Sequence, residues 1–246
     1  MINENTGDIE EEELFKIDKS QPITPPDSPP SSPKREIKMR DYQISFKEKA
    51  IEYYKTNSKG ILNWCCGLGK TIMACELSVV YVINYLLIGV YNIGLIDQWI
   101  EELNKYYKLP YLIVGSITIT GYITTTDIEE IEKWFINNPK GIVITLYQSS
   151  HLLTKINKHY DFGIFDECHH LTWVENEGRD TKTKNIDILN LNIEKQLGLT
   201  ATLKKIETTK KHIDNTSVEL FGGIIDEKSV LWAIDNKYIT DYELLT

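Results

Sequence analysis

Two glycines, a lysine and a threonine end a short apolar run in Gly60-Ile-Leu-Asn-Trp-Cys-Cys66-Gly67-Leu68-Gly69-Lys70-Thr71. The run predicts a buried strand, and the apolar pattern of residues 70–83 predicts a helix. Glycines at such a junction let backbone N–H groups turn toward a polyphosphate, and the start of the helix favours negative charge. We therefore predict a phosphate-binding loop, in which Lys70 contacts the β- and γ-phosphates of a nucleotide and Thr71 ligates Mg²⁺.

The loop departs from the strict motif G-x-x-x-x-G-K-T at one position. The first glycine of that motif would fall six residues before Lys70, where this chain has Trp64. On these residues alone, a glycine turn followed by a chance Lys-Thr pair remains an alternative.

A second pattern places two carboxylates after an apolar strand, in Phe162-Gly-Ile-Phe-Asp166-Glu167-Cys168-His169-His170. Open α/β sheets bind ligands beyond the carboxyl ends of their strands. Asp166 is expected to hold Mg²⁺ through water, and Glu167 to orient and deprotonate an attacking water. A solvated acidic turn is the alternative. The 96 residues from Lys70 to Asp166 leave room for several strand–helix units and favour a shared site.

Short apolar strands alternate with helical patterns along the chain. Strands are predicted at residues 86–91, 111–114, 141–145, 162–165 and 196–199, and helices at 42–54, 95–107 and 126–137. This alternation predicts an α/β fold, in which helices cover both faces of a mostly parallel sheet.

Residues 1–38 differ from the rest, with six of the eight prolines and nine acidic against five basic residues. We predict a disordered acidic, proline-rich arm there and one domain over residues 39–246. The net charge of −9 excludes a protein that coats nucleic acid by bulk charge. The four cysteines lack C-x-x-C spacing and the N-terminus lacks an apolar segment. We therefore expect an intracellular protein, in the cytoplasm or nucleus, without a membrane partner.

The ordered motifs resemble the first motor lobe of superfamily 2 helicases and translocases of the DExH type. Arg40-Asp-Tyr-Gln43 resembles the adenine-binding glutamine element, and Cys66–Thr71 resembles motif I, whose first glycine this superfamily often lacks. Asp166–His169 resembles motif II, and Thr200-Ala-Thr202 resembles motif III. The resemblance implies a RecA-like P-loop lobe that uses ATP and Mg²⁺.

The resemblance also assigns roles to individual residues. The ATP-binding residues that it implies are Arg40, Gln43, Cys66, Gly67, Leu68, Gly69, Lys70 and Thr71. The implied catalytic residues are Lys70, Asp166 and Glu167, with Thr71 and Asp166 as the Mg²⁺ ligands. His169, Thr200 and Thr202 would couple the nucleotide site to a second lobe.

Two further segments resemble elements that contact nucleic acid. Residues 90–99 are similar to motif Ia, although family members usually have proline and a small hydroxyl residue in place of Tyr91 and Asn92. Residues 144–149 are similar to the strand-end element before motif II. The resemblance implies nucleic-acid contacts at Asn92, Thr145 and Gln148, with DNA expected rather than RNA.

Residues 221–222 and 235–242 resemble the end of the first lobe in the restriction-enzyme and DNA-repair branch. Members close the active site with arginines from a second lobe, and this sequence has no Q-x-x-G-R-x-x-R motif after Thr202. We therefore expect an ATP-binding lobe of an ATP-dependent helicase, a fragment that needs a second lobe in cis or in trans and is poorly active alone. A duplex translocase that does not unwind, and a stand-alone nucleotide-binding interaction module, are the alternatives.

The composition points to a source. The chain is rich in isoleucine, asparagine and tyrosine and poor in alanine, as an A+T-rich genome would encode. Together with the resemblance, this predicts a large DNA virus, and the virion becomes a further expected location.

Overall fold

The computed structural model of the protein describes residues 38–174 and 184–240. The predicted arm lies outside the described residues except for Lys38, so it stays a prediction. The described residues from Met39 onward belong to one compact unit. Within the described ranges, no helix is both long enough and apolar enough to cross a lipid bilayer.

Ten strands and six α-helices lie within the described part of this unit. The strands are β1 (Lys59–Trp64), β2 (Tyr85–Val90), β3 (Tyr111–Val114), β4 (Ile123–Thr125), β5 (Gly141–Leu146), β6 (His159–Phe165), β7 (Trp173–Val174), β8 (Asn192–Thr200), β9 (His212–Ile213) and β10 (Gly223–Lys228). The helices are α1 (Asp41–Tyr53), α2 (Lys70–Tyr81), α3 (Gly94–Leu103), α4 (Ile128–Asn137), α5 (Val218–Phe221) and α6 (Val230–Asp235). Short 3₁₀ helices cover Tyr147–Lys155, Cys168–His170 and Lys184–Asn190.

Eight of the strands form one sheet in the order β10-β1-β8-β6-β2-β5-β3-β4. Every neighbouring pair in it is parallel. β7 and β9 form a separate antiparallel pair. Because the strands are parallel, all of their carboxyl ends lie at one edge of the sheet, where the predicted phosphate loop and acidic pair begin.

The strand side chains alternate between two apolar cores, as a doubly covered sheet requires. In β2, Leu86 belongs to one core with Phe46 of α1 and Met73 of α2. The next residue, Leu87, belongs to the other core with Ile131 of α4. Helices therefore cover both faces, and the predicted α/β fold with a mostly parallel sheet is confirmed.

The edge strand β10 is an element that the sequence patterns did not predict. Its Asp226 is buried, accepting hydrogen bonds from Lys49 (2.8 Å), Lys228 (2.6 Å) and Trp64 Nε1 (2.7 Å). Burial alone would raise the pKa of this carboxyl, but these hydrogen bonds keep it below its ordinary value. The carboxylate thus connects β10 to α1 and β1. Because the buried position of β10 is a charged residue, a search for apolar runs does not detect this strand.

Candidate nucleotide-binding site

The loop between β1 and α2 has a backbone that favours glycine. Gly67 and Gly69 both have φ of +83°, in the left-handed region. A Cβ on Gly69 would lie 2.7 Å from Nε2 of Gln43, so this position has no room for a side chain. Gly69 also caps α2, whose first N–H groups have no partners within the helix. The loop therefore presents backbone N–H donors of the kind that bind phosphate groups.

Lys70 places its ammonium group over this loop. Its Nζ donates to the carbonyl oxygen of Trp64 at 2.9 Å and approaches that of Cys65 at 3.5 Å. An anionic phosphate oxygen is a stronger acceptor than either carbonyl. Cys66 is exposed at the rim of the loop, and Thr71 is half-buried after Lys70. The predicted phosphate-contacting side chains thus lie together at the end of β1.

The Arg40–Gln43 element braces the loop from α1. The amide of Gln43 accepts from the backbone N–H of Arg40 through Oε1 (2.9 Å) and donates through Nε2 to the carbonyl of Leu68 (3.1 Å). Tyr42 donates its hydroxyl to the same carbonyl at 2.9 Å. The side chain of Leu68 is buried, so this residue faces the loop through its backbone. Gln43 is itself buried, and both ends of its amide have partners within the protein.

Asp166 follows β6 directly and is held by hydrogen bonds to its carboxylate, its carbonyl and its backbone N–H. Its Oδ2 accepts from Nε1 of Trp99 at 2.9 Å, and its carbonyl accepts from the hydroxyl of Tyr147 at 2.6 Å. Its backbone N–H donates to Gly89 of the adjacent strand β2 at 2.9 Å. Only 8% of the residue is exposed, so the carboxylate has a single fixed orientation.

The electrostatics of Asp166 connect the two predicted motifs. Burial raises the pKa of its carboxyl above the ordinary value. The hydrogen bond from Trp99 opposes that rise, the charge of Glu167 adds to it, and the positive charge of Lys70 lowers the pKa. The two motifs follow β1 and β6, which are separated only by β8, so both lie at the same edge of the sheet.

Replacing Asp166 with asparagine is expected to raise the free energy of unfolding near neutral pH. The folded pKa of Asp166 is raised above its ordinary value of 3.8, so folding becomes less favourable as pH rises through the folded pKa. Asparagine removes the buried charge, and its single oxygen can still accept from Trp99, while the Glu167 N–H loses its acceptor. Urea unfolding at several pH values measures the effect.

The stability gain from Asp166→Asn should shrink as pH falls toward the ordinary pKa of aspartate. Asp97→Asn, at an exposed carboxylate of α3, is the matched control and should change stability little. An Asp166→Asn protein that is less stable than the wild type at neutral pH would contradict this account of the buried charge.

Glu167 adopts a backbone conformation that is uncommon for a side chain other than glycine. Its φ is +50° and its ψ is +50°. Strained residues of this kind concentrate at functional sites. Its Oε2 lies 3.3 Å from Nδ1 of His169, and its side chain is partly exposed. At this strained turn the Glu167 side chain is therefore partly exposed, whereas that of Asp166 is buried.

His169 connects the acidic pair to the end of β8. Its Nδ1 lies 3.1 Å from Oγ1 of Thr200. That hydroxyl donates its single proton to the carbonyl of Thr202 at 2.8 Å and accepts from the Thr202 N–H at 3.1 Å. It can only accept from His169, so Nδ1 carries a proton. The predicted coupling residues His169, Thr200 and Thr202 therefore form one hydrogen-bonded chain, and Glu167 lies next to its first member, His169.

The residues predicted to contact nucleic acid do not form one group. Asn92 and Gln148 are exposed at the strand-end edge. Thr145 is fully buried, and its hydroxyl donates to the carbonyls of Val114 and Leu146 at 3.3 and 3.1 Å. The expectation that Thr145 contacts nucleic acid is wrong for this structure, because its side chain packs between strands.

Tyr91, at the motif Ia position that usually has proline, stacks on His170. The two ring centroids lie 3.5 Å apart and the ring planes differ by 6°. Tyr91 remains 40% exposed. The substitution therefore creates an aromatic contact between the end of β2 and the turn after the acidic pair.

Two residues that fix the site were not assigned from the sequence. Trp99 and Tyr147 are buried aromatics that donate to the side chain and the carbonyl of Asp166, respectively. A buried tryptophan N–H or tyrosine O–H usually has a partner. That rule signals that these groups need acceptors, but it does not identify Asp166 as the acceptor.

With this geometry established, comparisons with known proteins give a consistent result. The family model described as "Type III restriction enzyme, res subunit" matches residues 36–205. The probable helicase A859L of African swine fever virus (isolate Tick/South Africa/Pretoriuskop Pr4/1996) is 28% identical over 218 residues, which cover 85% of this chain and 24% of that protein. The DNA 3'-5' translocase XPB2 of Sulfurisphaera tokodaii is 27% identical over 216 residues, covering 86% of this chain and 40% of that protein.

The fold also matches solved structures. A nuclease-deletion mutant of the Type ISP restriction-modification enzyme LlaGI, in complex with a DNA substrate mimic, superposes with a TM-score of 0.65 and 23% identity, covering 82% of this chain and 21% of that chain. LlaBIII, a related Type ISP enzyme bound to DNA, gives a TM-score of 0.64 and 21% identity, with 84% and 16% covered. The chain thus spans about a quarter of the viral relatives and less of these enzymes.

Proposed function

The chain belongs to the family of the type III restriction enzyme res subunit, and from this membership we propose that it is the ATP-binding lobe of an ATP-dependent nucleic-acid motor. The observation that carries the proposal is the placement of the two motifs at one edge of the sheet, where Lys70 follows β1, Asp166 follows β6, and only β8 lies between these strands. It joins two groups that are 96 residues apart in sequence, and ATP hydrolysis needs both at one phosphate.

The donor groups of the two motifs at this edge of the sheet fit Mg²⁺. The Thr71 hydroxyl and the Asp166 carboxylate are hard oxygen donors, the ligands that Mg²⁺ prefers. Asp166 is oriented by Trp99 and by the Glu167 N–H, which donates to its Oδ1 at 3.0 Å. When bound, Mg²⁺ neutralises charge on the phosphate oxygens. Thr71 and Asp166 would hold it, with waters completing the shell.

The remaining residues of the site have separate roles in hydrolysis. The loop N–H groups and Lys70 bind the β- and γ-phosphates and stabilise the charge that develops on them. Glu167 orients a water and accepts its proton as the water oxygen bonds to the γ-phosphorus. The bond from that phosphorus to the bridging oxygen breaks, and ADP leaves with the electron pair. His169, which lies next to Glu167 and hydrogen-bonds to Thr200, can transmit the state of the site toward Thr202.

The partners follow from the family. We propose that DNA is bound across this lobe and a second lobe, supplied in cis or in trans, and that the complete motor works inside the cell. The solved enzymes that share this fold were determined with DNA. The viral relatives are about four times as long as the matched region, which leaves room for a second lobe in those proteins.

A duplex translocase is the second candidate. The archaeal relative named a DNA 3'-5' translocase matches over 86% of this chain, so the same lobe serves in a protein described as translocating. A first lobe alone does not separate the two activities. Strand displacement by the complete motor would favour a helicase, and movement along duplex without displacement would favour a translocase.

Phosphate release by the isolated chain tests the proposal. We expect measurable Mg-ATP binding but hydrolysis near background, with or without DNA, because the arginines that neutralise the transferring phosphate come from a second lobe. Fluorescence titration measures the binding, and phosphate release at saturating ATP measures the turnover. Fast DNA-stimulated hydrolysis by the chain alone would contradict the need for a second lobe. Absence of Mg-ATP binding would contradict the proposed function itself.

A further inference from the structure

Three side chains that can bind a metal lie together at the amino-terminal edge of the sheet. They are His159 and Asp161 of β6 and Glu194 of β8, and one ligand atom from each lies within 4.8 Å of the other two. Asp166 follows the opposite, carboxyl end of β6. The cluster is therefore separate from the acidic pair, and the hydrolysis chemistry does not use it.

The register of two parallel strands brings this cluster together. His159 begins β6 and pairs with Asn192, which begins β8. Each strand contributes a second polar residue two positions further on, Asp161 in β6 and Glu194 in β8. Four polar side chains thus lie side by side at the start of two adjacent strands.

Asp161 supplies a carboxylate that is buried and held in one orientation. Only 6% of the residue is exposed. Its Oδ2 accepts from the backbone N–H groups of Ile83, Asn84 and Tyr85 at 2.5–3.0 Å. Within residues 38–174 and 184–240, no hydrogen bond reaches its other oxygen, Oδ1. A nearly buried carboxylate oxygen without a donor favours a cation as its partner.

The hydrogen bond of His159 selects the ring nitrogen that can bind a metal. Its Nδ1 lies 3.3 Å from the amide oxygen of Asn192, which can only accept, so Nδ1 carries the proton. In the neutral ring the lone pair is then on Nε2, which faces Glu194. Metal-bound histidines almost always donate their other ring N–H to an acceptor of this kind.

The distance between His159 and Glu194 is close to that of two ligands of one ion. Nε2 of His159 lies 3.8 Å from Oε2 of Glu194, too far for a hydrogen bond. Nitrogen and oxygen ligands of a tetrahedral Zn²⁺ lie roughly 3.4 Å apart, given metal–ligand bonds of about 2.0–2.2 Å. The two side chains are 48% and 60% exposed, so they can close this difference and an ion can enter from solvent.

From these contacts we propose that His159, Asp161 and Glu194 form a binding site for a divalent transition-metal ion of the Zn²⁺ class. The imidazole favours Zn²⁺ over Mg²⁺ and Ca²⁺. Three protein ligands leave the fourth tetrahedral position to water. The first residues of β8 pair with β6 alone, so the ion would fasten the half of β8 that has one neighbouring strand.

Calorimetric titration of the metal-free chain with zinc chloride tests the proposal. Excess Mg²⁺ is present throughout, so that sites for hard cations are not available to Zn²⁺. We expect one Zn²⁺ to bind per chain. His159→Gln and Glu194→Gln should each weaken its binding at least about tenfold, because the loss of even an outer partner weakens metal sites by about 10- to 100-fold.

Matched variants locate the bound ion. His151→Gln removes a histidine of the Tyr147–Lys155 3₁₀ helix, and Glu132→Gln removes an exposed glutamate of α4. Neither should change Zn²⁺ binding. In Asp161→Asn the amide oxygen can still accept from the three backbone N–H groups, but the amide nitrogen cannot bind a metal. This variant should keep the circular dichroism spectrum and lose the ion, and the His159 and Glu194 variants decide if it unfolds.

Thermal unfolding gives an independent measurement. At a Zn²⁺ concentration of about 100 times its Kd, the Tm of the wild type should rise by about 5–10 °C. The Tm of His159→Gln should not rise under the same conditions.

Two results would overturn the proposal. One is a wild-type chain that binds no Zn²⁺. The other is binding by His159→Gln and Glu194→Gln that equals binding by the wild type, which would place the ion elsewhere. Neither result bears on the nucleotide site, because Mg-ATP binding is measured separately and without Zn²⁺.

Discussion

Replacing Lys70 with alanine is expected to weaken Mg-ATP binding about 10- to 100-fold. Lys70 is the cation of the phosphate loop, and a charge-assisted hydrogen bond to phosphate contributes roughly 1.5–3 kcal/mol. Its Nζ now bonds to the carbonyl of Trp64 at 2.9 Å, so the side chain is already directed over the loop. Fluorescence titration with a labelled ATP, competed by unlabelled ATP, measures the change.

The control for this experiment is Lys133→Ala, which removes an exposed lysine of α4. It carries the same change of net charge, and α4 belongs to the core on the other face of the sheet from α2. Its affinity for Mg-ATP should match that of the wild type. Equal binding by the Lys70→Ala protein and the wild type would show that ATP does not use this loop.

Gly222→Ala is expected to lower the free energy of unfolding by about 3–5 kcal/mol, the largest stability effect that we predict. Gly222 joins α5 to β10 with φ of +76°. A Cβ there would lie 1.9 Å from the carbonyl oxygen of Lys59 and 2.7 Å from the N of Gly60. Because both are backbone atoms of the β1 strand, only separation of β10 from β1 relieves the clash. Urea unfolding measures the loss.

Gly121→Ala separates steric clash from backbone strain. Gly121 has a similar φ of +86°, but nothing lies within 4 Å of its Cβ position. This variant should lose only about 1–2 kcal/mol, the strain of a left-handed alanine. If the two variants lose equal stability, the close approach of Gly222 to β1 is not the reason that this position needs glycine.

Sequence patterns located the elements that are apolar and local. The predicted strand 111–114 and the predicted helix ends near residues 70 and 137 agree with β3, α2 and α4. β8 was predicted only from residue 196, whereas it begins at Asn192. Its first residues pair with β6 alone, and β1 joins at Gln196. The early half is therefore more exposed and has a polar sequence.

Hydrogen bonds between residues far apart in the chain could not be predicted from sequence patterns. The pattern at Asp166-Glu167 indicated a metal ligand and a water base, but Trp99 lies 67 residues from Asp166. Thr145 was assigned to nucleic acid from its place in the element before motif II, and that resemblance gives no information on burial. The structure buries its side chain, and the hydroxyl lies 3.3 Å from the carbonyl of Val114 in the adjacent strand β3.

The most direct test of the account is a crystal structure of the chain with Mg²⁺ and a non-hydrolysable ATP analogue. We expect the phosphates on the Gly67–Thr71 loop in contact with Lys70, and the metal near Thr71 and Asp166. An analogue bound away from the Gly67–Thr71 loop, or no bound analogue at a concentration that saturates the chain in solution, would contradict the central claim that this lobe binds Mg-ATP between its phosphate loop and its acidic pair.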